Sequence, residues 1–319
     1  MKKPLLILFL VTSCFVKLYS QCCSQGSPMA GDANVGVLEK GGIRLSSFYK
    51  YSYSENTNVK VNHAIQEDAN FNYVGLTLGY GITRKISTEL ELGYFLNKTQ
   101  NLETRNFQNI PNFTPQKFVI NGFGLSNGVF YIKHLLLKKI EKKIELSGGL
   151  GFKFPFQSKL QVVDGVELPI DNLPSTYAPG IVSKLFFVKK IDQLKMAIVL
   201  IERLDYNFDN IKGYQYGTSS VTSLIVSKNL DFISKKLTGI LQFSNEYRAM
   251  DLKTEVRTGL KETIPTSGSH IIYVIPQFGI KMCKKLNTSL AIDLPIYKKY
   301  RVDKLQNIYA VTVNCSIDL

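Results

Sequence analysis

The sequence predicts an all-β fold, a transmembrane antiparallel β-barrel of about twelve strands. Apolar and polar residues alternate along many segments of the chain. Most of these segments are about twice as long as the roughly 5- to 6-residue strands of soluble proteins. Long and short connections take turns between them. The composition, with 17 Tyr, 19 Phe, 23 Gly and no Trp, also favours strands over helices.

Residues 1–20 have the order of a secretory signal peptide. Two lysines precede an apolar run, and the segment ends at the small residue Ser20. The run is broken by Lys17, so it falls short of the about 20 apolar residues that a membrane-spanning helix needs. We predict cleavage after Ser20. The alternative is lipidation at Cys14, which ends a stretch that resembles a bacterial lipobox.

Residues 21–40 precede the first predicted strand. We predict that this segment lies beneath the barrel or plugs it. Alternation then continues to the last residue without a linker or a low-complexity break, so residues 41–319 are predicted to form one barrel domain.

The two-residue period is clearest at the end of the chain. Every second residue from Tyr309 to Leu319 is apolar, and the residues between them are small or polar. Successive side chains of a strand point to opposite faces, so this segment has one apolar and one polar face. The strands predicted in this way are 41–53, 71–82, 86–97, 121–137, 141–155, 179–190, 194–208, 214–228, 237–248, 268–282, 286–297 and 308–319.

The connections alternate between long loops and short turns, which is typical of membrane barrels. The long loops include 98–120, 156–178 and 249–267. Two interpretations of the basic short turns stay open: solvated turns that resist edge pairing, or attraction to anionic lipid headgroups or an acidic partner. Nucleic acid is not expected, because these residues do not form a stripe with stacking aromatics. The basic pairs are Arg84-Lys85, Lys138-Lys139, Lys189-Lys190, Lys235-Lys236 and Lys284-Lys285.

With these features the chain resembles the outer-membrane β-barrel proteins of Gram-negative bacteria, in particular uncharacterised porin-like and transporter-like members. Its terminal strand, apolar at Val311, Val313, Cys315 and Ile317, is similar to the signal that the barrel-assembly machinery reads. It departs from that signal at Leu319, where an aromatic residue is usual. The resemblance implies location in the cell outer membrane after signal-peptide-directed export, with outer-membrane lipid and the assembly machinery as partners.

If the polar faces turn inward, charged side chains of both signs line the lumen. They either form a water-filled path that selects small polar solutes, or pair with one another across a closed interior. The predicted lumen-lining residues are Arg44, Lys50, Glu89, Glu91, Glu145, Lys153, Arg203, Asp205, Glu246, Arg248 and Asp293.

The function favoured by these observations is an outer-membrane channel or transporter for small solutes, acting by passive or facilitated diffusion without a cofactor. A second hypothesis is a non-conducting barrel that displays its long loops for recognition. A third is a lipid hydrolase similar to the outer-membrane phospholipase, which uses Ser, His and Asn. The three histidines, His63, His134 and His270, do not show that spacing, so we predict that the chain is not an enzyme. The oligomeric state stays open.

Four cysteines remain after the predicted cleavage. We predict a disulfide from Cys22 or Cys23 to Cys283, since Cys283 lies in a short turn on the same side as the mature N-terminus. An unpaired or locally bonded Cys22-Cys23 pair is the alternative. Cys315 is expected to face lipid, and no metal-site or phosphate-loop spacing occurs.

Overall fold

A computed structural model describes residues 36–56, 65–104, 114–157, 160–163, 165–255, 258–283, 285–300 and 305–319. Its strands are β1 Ile43–Glu55, β2 Ile65–Gly81, β3 Ile86–Thr104, β4 Lys117–Leu125, β5 Gly128–Lys139, β6 Ile144–Phe154, β7 Val162–Val163, β8 Val166–Glu167, β9 Gly180–Ile191, β10 Met196–Asn207, β11 Tyr214–Gln215, β12 Ser219–Asn229, β13 Leu237–Arg248, β14 Leu252–Thr254, β15 Lys261–Thr263, β16 Ser269–Lys281, β17 Leu286–Lys299 and β18 Gln306–Asp318. Two 3₁₀ helices span Ile170–Asn172 and Asp192–Leu194.

The main sheet closes on itself through its first and last strands. β1 pairs antiparallel with β18, from Arg44 opposite Asp318 to Glu55 opposite Gln306. The sheet has 13 strands, but β4 and β5 both pair with β3 and share one place in the wall, so the barrel has twelve positions. Closure satisfies backbone groups that an open edge would leave unpaired in hydrocarbon. The predicted twelve-stranded antiparallel barrel is confirmed.

The fourth predicted strand, 121–137, is wrong as a single element. The strand is interrupted at Ser126. β4 pairs with β3 between Tyr94 and Glu103, and β5 pairs with β3 between Ile86 and Glu91. The backbone N–H of Ser126 donates to the Gly93 carbonyl, and Gly124 has a φ of 129°, a conformation that side chains with a Cβ rarely adopt. The break shows why alternation is poor in this part of the sequence.

The strands overrun two of the predicted loops. The pairing of β1 with β2 continues until Glu55 lies opposite Asp68. The pairing of β2 with β3 continues until Ile65 lies opposite Thr104. The residues added are mostly polar on both faces, so these hairpins extend beyond the apolar band of the wall. We call this side of the barrel the loop end, and the opposite side, where the short turns and both ends of the barrel domain lie, the turn end.

Side-chain burial alternates along the wall. On β1, Ser46, Phe48 and Lys50 are buried, whereas Tyr49 between them is exposed. On β2, Leu76 and Leu78 are exposed. Exposed apolar side chains therefore cover the outside, and polar side chains are concentrated inside, which is the reverse of a water-soluble sandwich and the arrangement of a transmembrane barrel. Among the described residues, no helix has the length and hydropathy of a membrane span.

Candidate functional site

One wall of the barrel carries a connected set of buried charges. Lys133 on β5 and Lys184 on β9 both contact the Glu89 carboxylate on β3, with Lys184 Nζ 3.2 Å from Glu89 Oε1. Lys184 Nζ also donates to Glu91. All these side chains project from the inner face, because each lies two residues from a buried residue of its own strand.

The set continues through Arg203 on β10. Its Nη1 lies 3.1 Å from Glu91 Oε2, and its Nε lies 2.7 Å from Asp205 Oδ2. Lys153 Nζ on β6 lies 3.7 Å from Asp205 Oδ1. Each acid thus meets at least two cations, which offsets the cost of removing these charges from bulk water.

Tyr131 lies in the middle of this wall. Lys184 Nζ is 3.9 Å from the centre of its ring, and its hydroxyl donates to Glu91 Oε2 at 3.2 Å. A cation over a tyrosine face gains a further electrostatic attraction. We call the whole set the charge belt, which consists of Glu89, Glu91, Tyr131, Lys133, Lys153, Lys184, Arg203 and Asp205.

The part of the wall that follows the charge belt around the barrel is largely neutral and polar. Gln277 Nε2 donates to Gln242 Oε1 at 2.8 Å, and Gln242 Nε2 donates to Ser223 Oγ at 3.2 Å. Ser223 and Ser244 share a hydrogen bond of 3.1 Å. This ladder on β12, β13 and β16 presents amide and hydroxyl groups rather than charges, and it begins on the strand next to β10 of the charge belt.

The other predicted interior charges lie in different places. Lys50 and Asp293 form a buried ion pair of 2.7 Å. At the turn end, Arg44 Nε lies 2.5 Å from Asp318 Oδ1, and Glu145 Oε2 lies 3.8 Å from Lys138 Nζ. The three ion pairs therefore lie apart from those of the charge belt.

Two further predicted residues, Glu246 and Arg248, lie near the loop end of β13. Glu246 is half-buried and pairs in register with the buried residues Val221 and Ile271. Arg248 Nη2 donates to Asp251 Oδ1 at 2.7 Å, and the Arg248 guanidinium lies 5.2 Å from the centre of the Tyr216 ring. The structure thus brings Glu89, Glu91, Lys153, Arg203 and Asp205 together, and it does not bring the remaining six predicted residues into the same cluster.

Residues 168–178 of a long loop pack on the inner face of β4 at the loop end. The Asn172 carbonyl lies against Gly122, where a Cβ would collide with it. Lys98 Nζ donates to the Leu173 carbonyl at 3.0 Å, and Leu173 packs with Tyr177 in a buried cluster. We call residues 168–178 the loop insert. It narrows this mouth of the barrel.

A buried carboxylate orders two more loops beside the insert. Asp251 is 1% exposed and accepts hydrogen bonds from Arg248 Nη2 and the Gly217 backbone N–H, both at 2.7 Å. It also accepts from the Tyr214 hydroxyl. Burial and the neighbouring Asp251 carboxylate raise the pKa of Tyr214 well above its usual range. The sequence analysis did not single out Asp251.

Part of the predicted N-terminal segment is visible at the turn end. The Gly41 N–H donates to the Gly81 carbonyl at 2.7 Å. The Leu38 side chain lies near Gly79, which faces the interior. Residues 36–40 therefore run along the inner edge of the turn-end mouth. The rest of the predicted segment, residues 21–35, lies outside the described residues.

Cys283 is exposed in a turn, and Cys315 on β18 is half-buried. Cys22 and Cys23 lie outside the described residues, so the predicted disulfide stays a prediction. Among the described residues, no group of three His, Cys, Asp or Glu side chains is placed to hold a metal ion.

His270 lies on the lipid-facing side of β16. Its Nε2 is 2.6 Å from Asn245 Oδ1, and its ring contacts Tyr247 and Tyr297. The adjacent serine, Ser269, is buried and points to the opposite face. A histidine and an asparagine of the kind that a lipid hydrolase uses are thus paired, but the neighbouring serine is directed away from them.

No protein-family model matches the chain, and no curated protein matches it. Among solved structures, an outer membrane channel from Pseudomonas putida F1 is similar with a TM-score of 0.61 and 10% identity, over 92% of this chain and 100% of that one. The NanC porin, with a TM-score of 0.45 and 8% identity, matches over 87% of this chain and 100% of its own. The first likeness shows that the chain has the fold of an outer-membrane β-barrel.

Proposed function

We propose that the chain is an outer-membrane channel for small polar solutes, acting by passive or facilitated diffusion without a cofactor. The observation that carries this proposal is the polar interior, in which the charge belt and the glutamine and serine ladder lie side by side on the inner wall. Charged walls inside a narrow pore select solutes by charge and by hydrogen bonding. In this proposal the turn end faces the periplasm and the loop end faces the outside.

The arrangement favours solutes that are neutral overall and carry several polar groups. A solute with one net charge would meet both signs within the belt, since Glu91 is held between Lys184 and Arg203. A sugar, a nucleoside or a zwitterionic amino acid can instead exchange hydrogen bonds with both the charge belt and the neighbouring ladder. Export through a signal peptide and insertion by the barrel-assembly machinery complete the proposal.

Liposome swelling tests this function directly. The purified chain in vesicles should admit small sugars, amino acids and nucleosides at rates that fall with solute size. Gln242→Leu/Gln277→Leu removes the amides of the neutral wall and should lower the swelling rates for polar solutes. Leu241→Gln is the matched control, because Leu241 is next to Gln242 on β13 and its side chain is exposed on the outer face. Swelling no faster than that of protein-free vesicles with every solute would contradict the proposal.

A second candidate, a non-conducting barrel that displays recognition loops, is favoured by one observation. The loop end is ordered by the Asp251 hydrogen bonds and narrowed by the loop insert. Conductance in planar bilayers separates the two candidates, because a recognition barrel stays silent at every voltage while a channel does not.

A further inference from the structure

The turns at the turn end repeat one arrangement of side chains. In each of five turns an exposed apolar residue lies beside exposed basic residues. Ile140 is 80% exposed and Phe232 is 81% exposed, the highest values among the exposed large apolar side chains of the described residues. The apolar tips are Ile82, Ile140, Leu194, Phe232, Ile233 and Met282.

Basic side chains surround these tips. Their acidic neighbours are few, and two of them connect the turns to one another: Lys143 contacts Asp192, and Lys195 Nζ lies 2.5 Å from Asp231 Oδ2. Three successive turns are thereby joined side by side. We call the five turns together the turn collar. Its exposed basic residues are Arg84, Lys85, Lys138, Lys139, Lys142, Lys143, Lys189, Lys190, Lys195, Lys228, Lys235, Lys236, Lys281 and Lys285.

The loop end is different. There the exposed lysines have acids beside them, as in Lys212 with Glu167 at 2.9 Å and Lys261 with Asp209 at 2.7 Å. Within the described part of the chain, an excess of basic over acidic side chains is therefore a feature of the turn collar. Apolar tips spread among the basic residues are found at the same end.

We infer that the turn collar binds anionic glycerophospholipid in the adjacent leaflet, with lysines on the phosphate groups and the apolar tips at the acyl boundary. The tips continue the lipid-facing surface: Ile82 follows Leu78 and Tyr80 on the outer face of β2 and its turn. A basic surface with apolar residues at its edge is the combination that holds peptides at anionic membrane interfaces.

An acidic protein partner fits the collar less well. The apolar tips belong to turns distributed along the closed sheet, from the β2–β3 turn to the β16–β17 turn, rather than to one patch. A leaflet surrounds the barrel and can meet all of them at once. The inference uses the orientation given in the proposed function and does not depend on conduction.

Native mass spectrometry of the purified full chain in neutral detergent tests the inference, with phosphatidylglycerol as the probe. Lys139→Gln/Lys142→Gln/Lys190→Gln/Lys236→Gln should weaken lipid binding about tenfold or more. Lys117→Gln/Lys212→Gln/Lys253→Gln/Lys261→Gln, with the same change in charge at the loop end, should bind like the wild type. Unchanged heat-modifiable gel mobility and liposome swelling in both variants show that the barrel is folded and separate this test from the test of conduction.

The tips are tested separately with Ile140→Ser/Phe232→Ser. This variant should lose affinity for phosphatidylglycerol while keeping its charge. Inorganic phosphate and the free headgroup glycerophosphoglycerol should not displace the lipid, since neither supplies acyl chains. The inference is overturned if the collar lysine variant binds lipid like the wild type, if inorganic phosphate displaces the lipid, or if the collar binds polyglutamate but not lipid.

Discussion

Lys50 Nζ lies 2.7 Å from Asp293 Oδ2, and this buried ion pair joins β1 to β17 across the intervening β18. The pair therefore spans the seam at which the barrel closes. Lys50→Met should leave the Asp293 carboxylate buried without its cation and lower the free energy of unfolding by about 3 kcal/mol. Urea unfolding in lipid vesicles, followed by gel mobility, measures this change.

The double variant Lys50→Met/Asp293→Leu is the control for that experiment. Because both charges are removed, it should regain most of the lost stability. Equal losses in the single and double variants would mean that the lysine stem, and not its charge, stabilises the seam.

Glu91 and Arg203 should control ion selectivity in opposite directions. The charge belt holds four cations and three carboxylates, and Glu91→Gln leaves four cations against two carboxylates, so the pore should shift toward anions. Arg203→Gln leaves three cations and three carboxylates in the belt, so it removes the positive excess and should shift the pore toward cations. The reversal potential in a salt gradient across a planar bilayer measures both shifts.

Glu202→Gln provides the matched control for selectivity. Glu202 lies on the same strand as Arg203, one residue away, but its carboxylate faces outward and accepts from Ser220 Oγ at 2.7 Å. Its substitution should leave the reversal potential unchanged. A shift as large as that of Glu91→Gln would contradict a path along the charge belt.

The strand positions could be predicted because one physical requirement acts on every strand: lipid outside and polar groups inside impose a period of two. The same requirement assigns Glu89, Glu91 and Arg203 to the inner face from the amino-acid sequence alone. The same alternation did not identify Lys133 and Lys184 as inner-face residues. Their inner-face neighbours on the same strands, such as Val182 and Phe186, are apolar and buried, so the two faces of these strands look alike in the sequence.

The loop features could not be predicted, because they depend on contacts between distant segments. Nothing local marks the Asn172 carbonyl as the neighbour of Gly122, or Asp251 as the acceptor for Tyr214. The break between β4 and β5 likewise depends on pairing with β3, where Gly93 receives the Ser126 N–H.

Gly122→Ala should displace the loop insert. The new methyl group would collide with the Asn172 carbonyl, a backbone group that cannot move without shifting the insert. We expect a higher single-channel conductance and faster proteolysis within 168–178. Gly279→Ala is the control, since the nearest atom to its added Cβ would be 3.7 Å away. Unchanged conductance in Gly122→Ala would mean that the insert does not limit the path.

Tyr214 should titrate later than an ordinary tyrosine. Burial and the Asp251 carboxylate raise its pKa in the folded state, whereas in the unfolded chain it titrates near pH 10. Its contribution to stability is therefore fully present below about pH 10 and is lost as the pH rises through the folded-state pKa. Absorbance titration at about pH 11 should give the same tyrosinate signal for Tyr214→Phe and the wild type. In denaturant, the variant should show one tyrosinate fewer.

Cys283 should report on the predicted tether to the N-terminal segment. Hydrogen bonds from the backbone N–H groups of Lys285 and Leu286 lower the pKa of its thiol, so more of it is thiolate near neutral pH. In Cys22→Ser/Cys23→Ser, with Cys315→Ser as the common background, Cys283 should react with maleimide at about pH 7 without reductant. With Cys22 and Cys23 present it should react only after reduction, because a disulfide leaves no thiol. Equal labelling of the two proteins without reductant would reject the tether and favour a local Cys22-Cys23 pair.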